Sequence, residues 1–243
     1  MSENETSLDA VVIGASGGIG RALTLALAAQ ASVSSVTALS RTATEFAADK
    51  IVAGRIDLLD EDSIAAAAAA CASRPPRLVI CAAGLLHAGE IQPEKSLREL
   101  DPEHLAAVLA TNTIGPALVI KHFAPLLPRQ GKSVIALLSA RVGSISDNRL
   151  GGWYAYRASK AALNQVVRTA SIEIARRRRE ALVVGLHPGT VATPLSAPFR
   201  GSVSPEKLFT PEFAAARLLA VIDSLAARDS GRCFAWDGSE VPA

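Results

Sequence analysis

Aromatic residues are scarce: Phe, Trp and Tyr make up 4% of the 243 positions, so Ala, Val, Leu and Ile must fill most of any core. Cysteine is scarce too. Cys71, Cys81 and Cys233 form an odd, scattered set, which excludes a disulfide framework and a zinc site. Neither sign of charge is in excess. Lys+Arg 25 against Asp+Glu 23 leaves a formal +2, too balanced for nucleic acid or an anionic membrane to be the main partner. The longest apolar stretch read from the sequence, Ile64 to Ala72, is too short to span a bilayer. The start, Met1 to Asp9, is polar and acidic and lacks the pattern of a signal peptide. His87, His104, His122 and His187 have no metal-ligand spacing. The compartment these features suit is a reducing cytoplasm, with no membrane, nucleic acid or metal partner expected.

A hydrophobic fraction of 49% with 20% charged residues belongs to a globular chain, and its length is ample for a sizeable core. Short β-branched runs alternate with longer Ala/Leu-rich stretches. The strand-like runs are Ala10–Ile13, Val33–Leu39, Ile51–Ile56, Leu78–Cys81, Ser133–Leu138, Leu182–Leu186 and Cys233–Trp236. The helix-like stretches are Ile19–Gln30, Ser63–Ser73, Pro102–Leu127, Ala155–Arg179 and Pro211–Ala227. The strands are continuously apolar, as strands covered on both faces must be. The expected fold is therefore α/β: one doubly wound Rossmann-like domain over 1–243, with a mostly parallel sheet of about seven strands. Thr42–Lys50 is weakly helical at best. Ala192–Leu208 carries Pro194, Pro198, Gly201 and Pro205 and cannot form one regular helix; a long irregular segment there reads as a lid. Arg176–Arg179 reads as a solvated helix end, where cations suit the helix dipole.

The first strand runs into Gly14-Ala15-Ser16-Gly17-Gly18-Ile19-Gly20 and then a helix. Glycines let backbone approach a pyrophosphate, and a helix start offers free N–H groups and the positive dipole end. The spacing is Gly-x-x-x-Gly-x-Gly rather than Gly-x-Gly-x-x-Gly, so the strand-turn-helix context carries the reading. The second strand ends Leu39-Ser40-Arg41-Thr42. No acid stands there to take the ribose 2′-hydroxyl of NAD; Ser40 and Arg41 suit the 2′-phosphate of NADP. NADP(H) is the preferred cofactor and NAD(H) the alternative.

Tyr156 and Lys160 lie four apart near the start of a helical stretch, on one face. A free Tyr, with a pKa near ~10, is a poor base at neutral pH, and a neighbouring cation lowers that pKa. Such a pair can move a proton at a substrate oxygen while hydride moves at the adjacent carbon. Tyr154 has no Lys four positions on and reads, with Trp153, as pocket wall or packing.

Taken in order, Gly14–Gly20, Asp57-Leu58, Cys81-Ala82-Ala83-Gly84, Thr111-Asn112-Thr113-Ile114-Gly115, Tyr156–Lys160 and Pro188-Gly189-Thr190-Val191-Ala192-Thr193 cover nearly the whole chain. In these the sequence resembles the short-chain dehydrogenase/reductase family. Gly143–Asn148 and Gly151–Asn164 resemble its branch of C-factor-like proteins and sniffer-type carbonyl reductases. The resemblance implies that Gly14, Gly18 and Gly20, with Ser16 and Ile19 among them, hold the pyrophosphate. Asp57 would bind the adenine amino group, with Leu58 beside the ring, and Ala82, Ala83 and Gly84 would line the adenosine ribose. Asn112 would interrupt its helix and hold a water linking Lys160 to solvent. Tyr156 would be the acid/base, and Lys160 would bind the nicotinamide ribose and lower the Tyr156 pKa. Pro188, Gly189, Val191 and Thr193 would hold the nicotinamide carboxamide. The implied substrate is a small carbonyl or alcohol. A dinucleotide-binding signalling protein with little catalysis is the alternative. Family members pair through the two long helices, which here implies a homodimer or homotetramer.

One position departs from the pattern. The family places a Ser after the fifth strand to hydrogen-bond the substrate oxygen. A gap-free alignment on Gly143 puts Ala140 in that slot and Ser139 one residue early, which in a regular strand means the opposite face. Ser139, as the nearest hydroxyl, is expected to take the role, with Ser144 as substitute and no serine at all as the remaining reading.

Overall fold

The computed structural model describes residues 8–42, 44–202 and 204–243, and of residue 202 the backbone alone. The readings of the polar start and of a domain counted from residue 1 thus fall partly outside the described residues, as do single positions of Thr42–Lys50 and Ala192–Leu208.

In chain order the elements are β1 (Leu8–Ile13), α1 (Gly18–Ala28), β2 (Val33–Ser40), β3 (Ile51–Arg55), α2 (Glu61–Ala70), β4 (Leu78–Cys81), α3 (Pro102–Leu109) and α4 (Gly115–Phe123). There follow β5 (Ser133–Leu138), α5 (Tyr154–Ala175), β6 (Ala181–His187), β7 (Thr190–Val191), β8 (Leu208–Phe209), α6 (Pro211–Ser224) and β9 (Cys233–Ala235). The main sheet has seven strands in the order β3-β2-β1-β4-β5-β6-β9, and every pairing in it is parallel. β7 and β8 form a separate two-stranded ribbon.

Alternation within the strands sorts side chains to two faces. Val12, Val134, Val184 and Leu186 pack with α1 and α6 on one side. Ile13, Ile135, Leu137 and Val183 pack with Ile64, Phe123 and Leu163 of α2, α4 and α5 on the other. Nearly every residue of β4, β5 and β6 is buried, as continuous apolar runs require. β3 departs from the expectation of burial on both faces: it is an edge strand, with Val52 53% exposed. The connection from β2 holds no helix to cover it.

Local chemistry starts the helices. Asp60 accepts from Asp62 N and Ser63 N, so α2 begins earlier than Ser63. Asp101 accepts from Glu103 N and His104 N ahead of Pro102, and Thr210 from Phe213 N ahead of Pro211.

The stretch read as one helix, Pro102–Leu127, is interrupted by a wide turn at Ala110–Ile114. There Gly115 N donates back to Ala110 O, and Pro116 has no N–H to give Asn112 O, so the α-helical ladder cannot run through. The composite run Pro102–Leu126, 25 residues, has the length and composition of a membrane span, which the sequence reading overlooked. In this fold one face of it packs on the sheet and against α2 and α5. Among the described residues of Ala192–Leu208 the helical pieces are short 3-10 turns, at Ala197–Ser202 and Pro205–Lys207, as its prolines require, and Leu208 opens β8.

Candidate active site

In an open parallel sheet a crevice forms at the carboxyl ends of the strands where the strand order reverses, here between β1 and β4. The glycine turn follows β1 and lies in that crevice. Gly14 adopts φ 84°, and a Cβ there would lie 2.8 Å from Ala83 N, so glycine lets Ala82 and Ala83 pass close by. A Cβ on Gly18 would lie 2.6 Å from Thr193 Cγ2, which joins the turn to the loop after β6. Ser16 and Gly17 are exposed, and Ile19 packs partly on the core. Helices α2, α3 and α6 are capped by Asp60, Asp101 and Thr210, whereas α1 begins at Gly17 with no side-chain cap and no acid in its first turn. Its N–H groups thus lack a side-chain cap and, with the positive end of the helix dipole, are open to an anion.

At the end of β2, Arg41 is exposed, but Ser40 is 4% exposed and its Oγ donates to Thr42 O at 2.6 Å. Of the pair read as phosphate ligands, Arg41 alone is accessible as it stands. Asp57 is partly buried, and its Oδ1 accepts from Leu59 N. Leu58 is buried at 7% exposure; a Cβ on Gly115 would meet its Cβ at 2.8 Å, so its side chain serves to pack α4. Pro188, Gly189, Val191 and Thr193 follow β6, with Val191 paired to Phe209 in the ribbon. His187 just before them has a buried Nδ1 with no partner among the described residues. Burial, then Arg141, pushes its imidazole down to about 4, so it is neutral.

Helix α5 carries Tyr156 and Lys160. Lys160 Nζ lies over the Tyr156 ring, 5.6 Å from its centroid, and donates to Leu138 O at 2.7 Å. Lys160 is 3% exposed, and burial lowers its pKa to about 8. The expected lowering of the Tyr156 pKa is not seen here. Burial pushes the phenol up to about 12. Asn112, fully buried, clamps Leu85 through both groups of its amide: Oδ1 accepts from Leu85 N, and Nδ2 donates to Leu85 O and Ser159 Oγ. Thr113 Oγ1 donates to Ser159 O, fixing the wide turn to α5 beside Lys160. A Cβ on Gly84 would lie 3.5 Å from Asn112 Oδ1 and 3.8 Å from Lys160 Nζ. The structure thus gathers Gly84, Asn112, Tyr156 and Lys160 at one point.

Ser139 does not meet its expectation. It is 4% exposed, and its Oγ donates to Asn164 Oδ1 at 2.7 Å, leaving no proton for a substrate carbonyl in this arrangement. Its parity is that of Ile135 and Leu137, which face the α4 and α5 side. Ala140 stands at the next position, and Ser144 is buried with its hydroxyl engaged by Asp147 N and the Ala243 carbonyl.

Trp153, read as pocket wall or packing, completes the mouth with Phe199 and His87, which the sequence did not point to as wall residues. Trp153 contacts Tyr156 and Phe199, with centroids 6.2 and 5.2 Å apart, and Phe199 contacts His87 at 5.6 Å. His87 Nε2 lies 3.3 and 3.1 Å from Pro194 O and Leu195 O. The segment after β7 therefore lies against the wall that adjoins Tyr156. Arg178, read as solvated, donates to Leu127 O and Pro125 O and ties the end of α5 to the turn after α4. Among the described residues no cluster of His, Cys, Asp and Glu could hold a metal ion, and the three cysteines are buried and free.

A parallel sheet with a glycine cradle at its switch point and a Tyr/Lys pair beyond it defines a dinucleotide-binding oxidoreductase site. Residues 9–203 match the short chain dehydrogenase family, and the chain belongs to that family. It is thus an NAD(P)-dependent oxidoreductase acting on small molecules. A Rhodococcus 1-hydroxy-2-glutathionyl-2-methyl-3-butene dehydrogenase is 35% identical over 186 residues, 76% of each chain. C-signal of Myxococcus xanthus is 35% identical over 147 residues, 60% of this chain and 83% of that one. Among solved structures, NADPH-bound carbonyl reductase from chicken fatty liver superposes with a TM-score of 0.85 at 26% identity, covering 97% of this chain and 94% of that one. Carbonyl reductase Sniffer of D. melanogaster shares the fold, with a TM-score of 0.82 at 22% identity, covering 98% of this chain and all of that one. Within the family the chain is similar in sequence to C-signal and shares the fold of Sniffer.

Proposed function

We propose that this chain is an NADP(H)-dependent carbonyl reductase, able to run in reverse as an alcohol dehydrogenase. One observation carries the reading: a protonated phenol, Tyr156, stands over a buried lysine of lowered pKa at the ligand end of the sheet. A bound reduced nicotinamide would supply hydride to the carbonyl carbon. Tyr156 donates its proton to the carbonyl oxygen, so the product leaves as the alcohol and Tyr156 as phenolate. Tyr156 is then reprotonated from Lys160 through an intervening water or hydroxyl, since Nζ is held by Leu138 O; a pKa of about 8 lets Lys160 release a proton near neutral pH and regain it from solvent. Asn112 holds the strand-end loop and α5 together, and its main-chain carbonyl, denied a donor by Pro116, is suited to hold the water that refills Lys160.

Gly14, Ser16, Gly18, Ile19 and Gly20 would cradle the pyrophosphate, Arg41 with Ser40 the 2′-phosphate, and Asp57 and Leu58 the adenine. Ala82, Ala83 and Gly84 would line the ribose, and Pro188, Gly189, Val191 and Thr193 the carboxamide. The NADPH in the chicken relative and the exposed Arg41 support NADP(H) over NAD(H). The Rhodococcus relative, named for an alcohol substrate, supports the reverse direction. The outer faces of α4 and α5 leave an open groove of about 1180 Å³ bordered by Ala117, Ile120, Val166 and Thr169. A second copy of the chain is the proposed occupant. The test is incubation of the protein with NADPH and a panel of carbonyls, following loss of NADPH absorbance. No turnover on any member, with NADPH still bound, would favour the other reading, a dinucleotide-binding signalling protein, to which the likeness to C-signal lends support.

A further inference from the structure

The catalytic helix begins in an unusual way. Gly151, Gly152 and Trp153 all have positive φ, at 63°, 65° and 53°, so three successive residues wind left-handed into a right-handed helix. For Trp153, with a Cβ, this conformation is strained. Trp153 occupies the N-cap position of α5, where Ser, Thr, Asp or Asn would ordinarily satisfy the free N–H groups, and it supplies no side-chain cap. Tyr156 lies in that same first turn.

The missing cap comes from another part of the chain. Glu94, in the loop after β4, accepts from Trp153 N through its main-chain oxygen at 2.5 Å and from Ala155 N through Oε2 at 3.1 Å. Glu94 is 4% exposed, so this carboxylate is held inside the protein at the positive end of the 22-residue α5. Arg157 braces the same turn from the other side, donating to Gly151 O, Gly152 O and Val142 O.

We infer that Glu94 is a positioning residue for the reaction: it caps the catalytic helix from outside its own sequence and thereby sets where the Tyr156 phenol and the Trp153 wall stand. The inference rests on Tyr156 being the proton donor. Removing the side chain frees the Ala155 N–H in the turn that bears Tyr156, while the main-chain bond to Trp153 N stays, and the strain at Trp153 then relaxes by shifting that turn. The cofactor lining proposed after β1, β2, β3, β4 and β6 lies on other elements and is not held by Glu94, and Lys160, implied at the nicotinamide ribose, stands beyond the first turn of α5 and is held by Leu138 O.

The experiment compares Glu94→Ala, Glu94→Gln and Glu94→Asp in the full chain. It measures kcat with a carbonyl that the unmutated protein reduces, NADPH affinity by fluorescence, and amide hydrogen exchange at Trp153 and Ala155. Glu94→Ala should lower kcat roughly 10- to 100-fold, the scale of a reacting group displaced by about 1 Å, with faster exchange at Ala155. NADPH affinity should stay within about twofold, since no cofactor contact is lost. Glu94→Gln keeps an oxygen for Ala155 N and should stay within about threefold of the unmutated kcat. Glu94→Asp, one methylene short of Ala155, should fall below Gln. If Glu94→Ala does not fold, the order of Gln above Asp decides the matter. Unchanged kcat in Glu94→Ala, a Gln variant no better than Asp or Ala, or NADPH affinity falling in step with kcat would each overturn the proposal. Tyr156→Phe is the control: its retained turnover would instead remove the catalytic reading on which the proposal stands.

Discussion

Lys160 should make the apo protein less stable at neutral pH than it would be with an apolar residue in its place. The ammonium is 3% exposed, and its pKa falls from 10.5 to about 8 on folding because burial penalises the charge. That fall corresponds to about 3 kcal/mol. The unfolded chain binds the proton more tightly, so the penalty is present in full below pH 8. It shrinks as pH rises from about 8 to about 10.5, where both states hold lysine neutral. In the unmutated protein other groups obscure this. Burial raises Cys81 and Cys233 from 9.0 to about 11 and Tyr156 from 10.0 to about 12, and each removes stability as pH rises through its window. The difference between Lys160→Met and the unmutated chain removes the burial part of these terms and leaves the smaller charge coupling of Lys160 to Cys81 and Cys233. Loss of the bond to Leu138 O adds a constant of about 1–3 kcal/mol against the variant. Urea unfolding of both proteins, without cofactor, from pH 7 to pH 10.5 should therefore show the variant losing relative stability by about 3 kcal/mol across that range. Two parallel stability curves would mean that Lys160 keeps an ordinary pKa, and the burial argument would fail together with the proton relay built on it.

Tyr156→Phe should lower turnover by about 10²- to 10⁴-fold with NADPH binding intact, while Tyr154→Phe stays near the unmutated rate; the reverse result would move the proton donor to Tyr154. Arg41→Ala should weaken NADPH binding by roughly 1.5–3 kcal/mol and spare NADH, measured by titration of cofactor fluorescence; equal losses for both would remove the phosphate contact. Ser139→Ala should cost about 1 kcal/mol of stability, through the lost bond to Asn164, and change turnover little; a loss of 1.5–3 kcal/mol in kcat/KM would return the hydroxyl to the substrate. Thr169→Arg places a charge in the groove between α4 and α5 and should shift the protein to monomer in sedimentation; an unchanged mass would place self-association elsewhere or deny it.

The doubly wound fold and its mostly parallel sheet of about seven strands were legible in the sequence because their signal is local. Val11–Ile13, Leu78–Cys81 and Val134–Leu138 are apolar at every position, and only strands covered on both sides can use that pattern. The glycine turn and the Tyr156–Lys160 spacing were legible for the same reason, since a turn needing positive φ and one face of a helix are short-range constraints. The break at Asn112 was implied by the family resemblance, and it has a signal of its own in Pro116, four residues on, which the periodic pattern of Pro102–Leu127 does not show. β3 read as buried because periodicity does not reveal which strand lies at an edge.

What the tertiary structure alone decided depends on groups distant in sequence. Whether Lys160 lowers the Tyr156 pKa or merely covers its ring turns on where Nζ is held, and Leu138 O, 22 residues away, holds it. Ser139 faces Asn164 rather than a substrate because the parity of β5 persists to its end. Glu94 caps α5 from 61 residues away, across a loop with no periodic pattern to read. Composition and spacing report the constraints a residue shares with its neighbours in the chain. Burial, hydrogen-bond partner and hence pKa are set by neighbours in space, and these exist only once the sheet has brought its ends together.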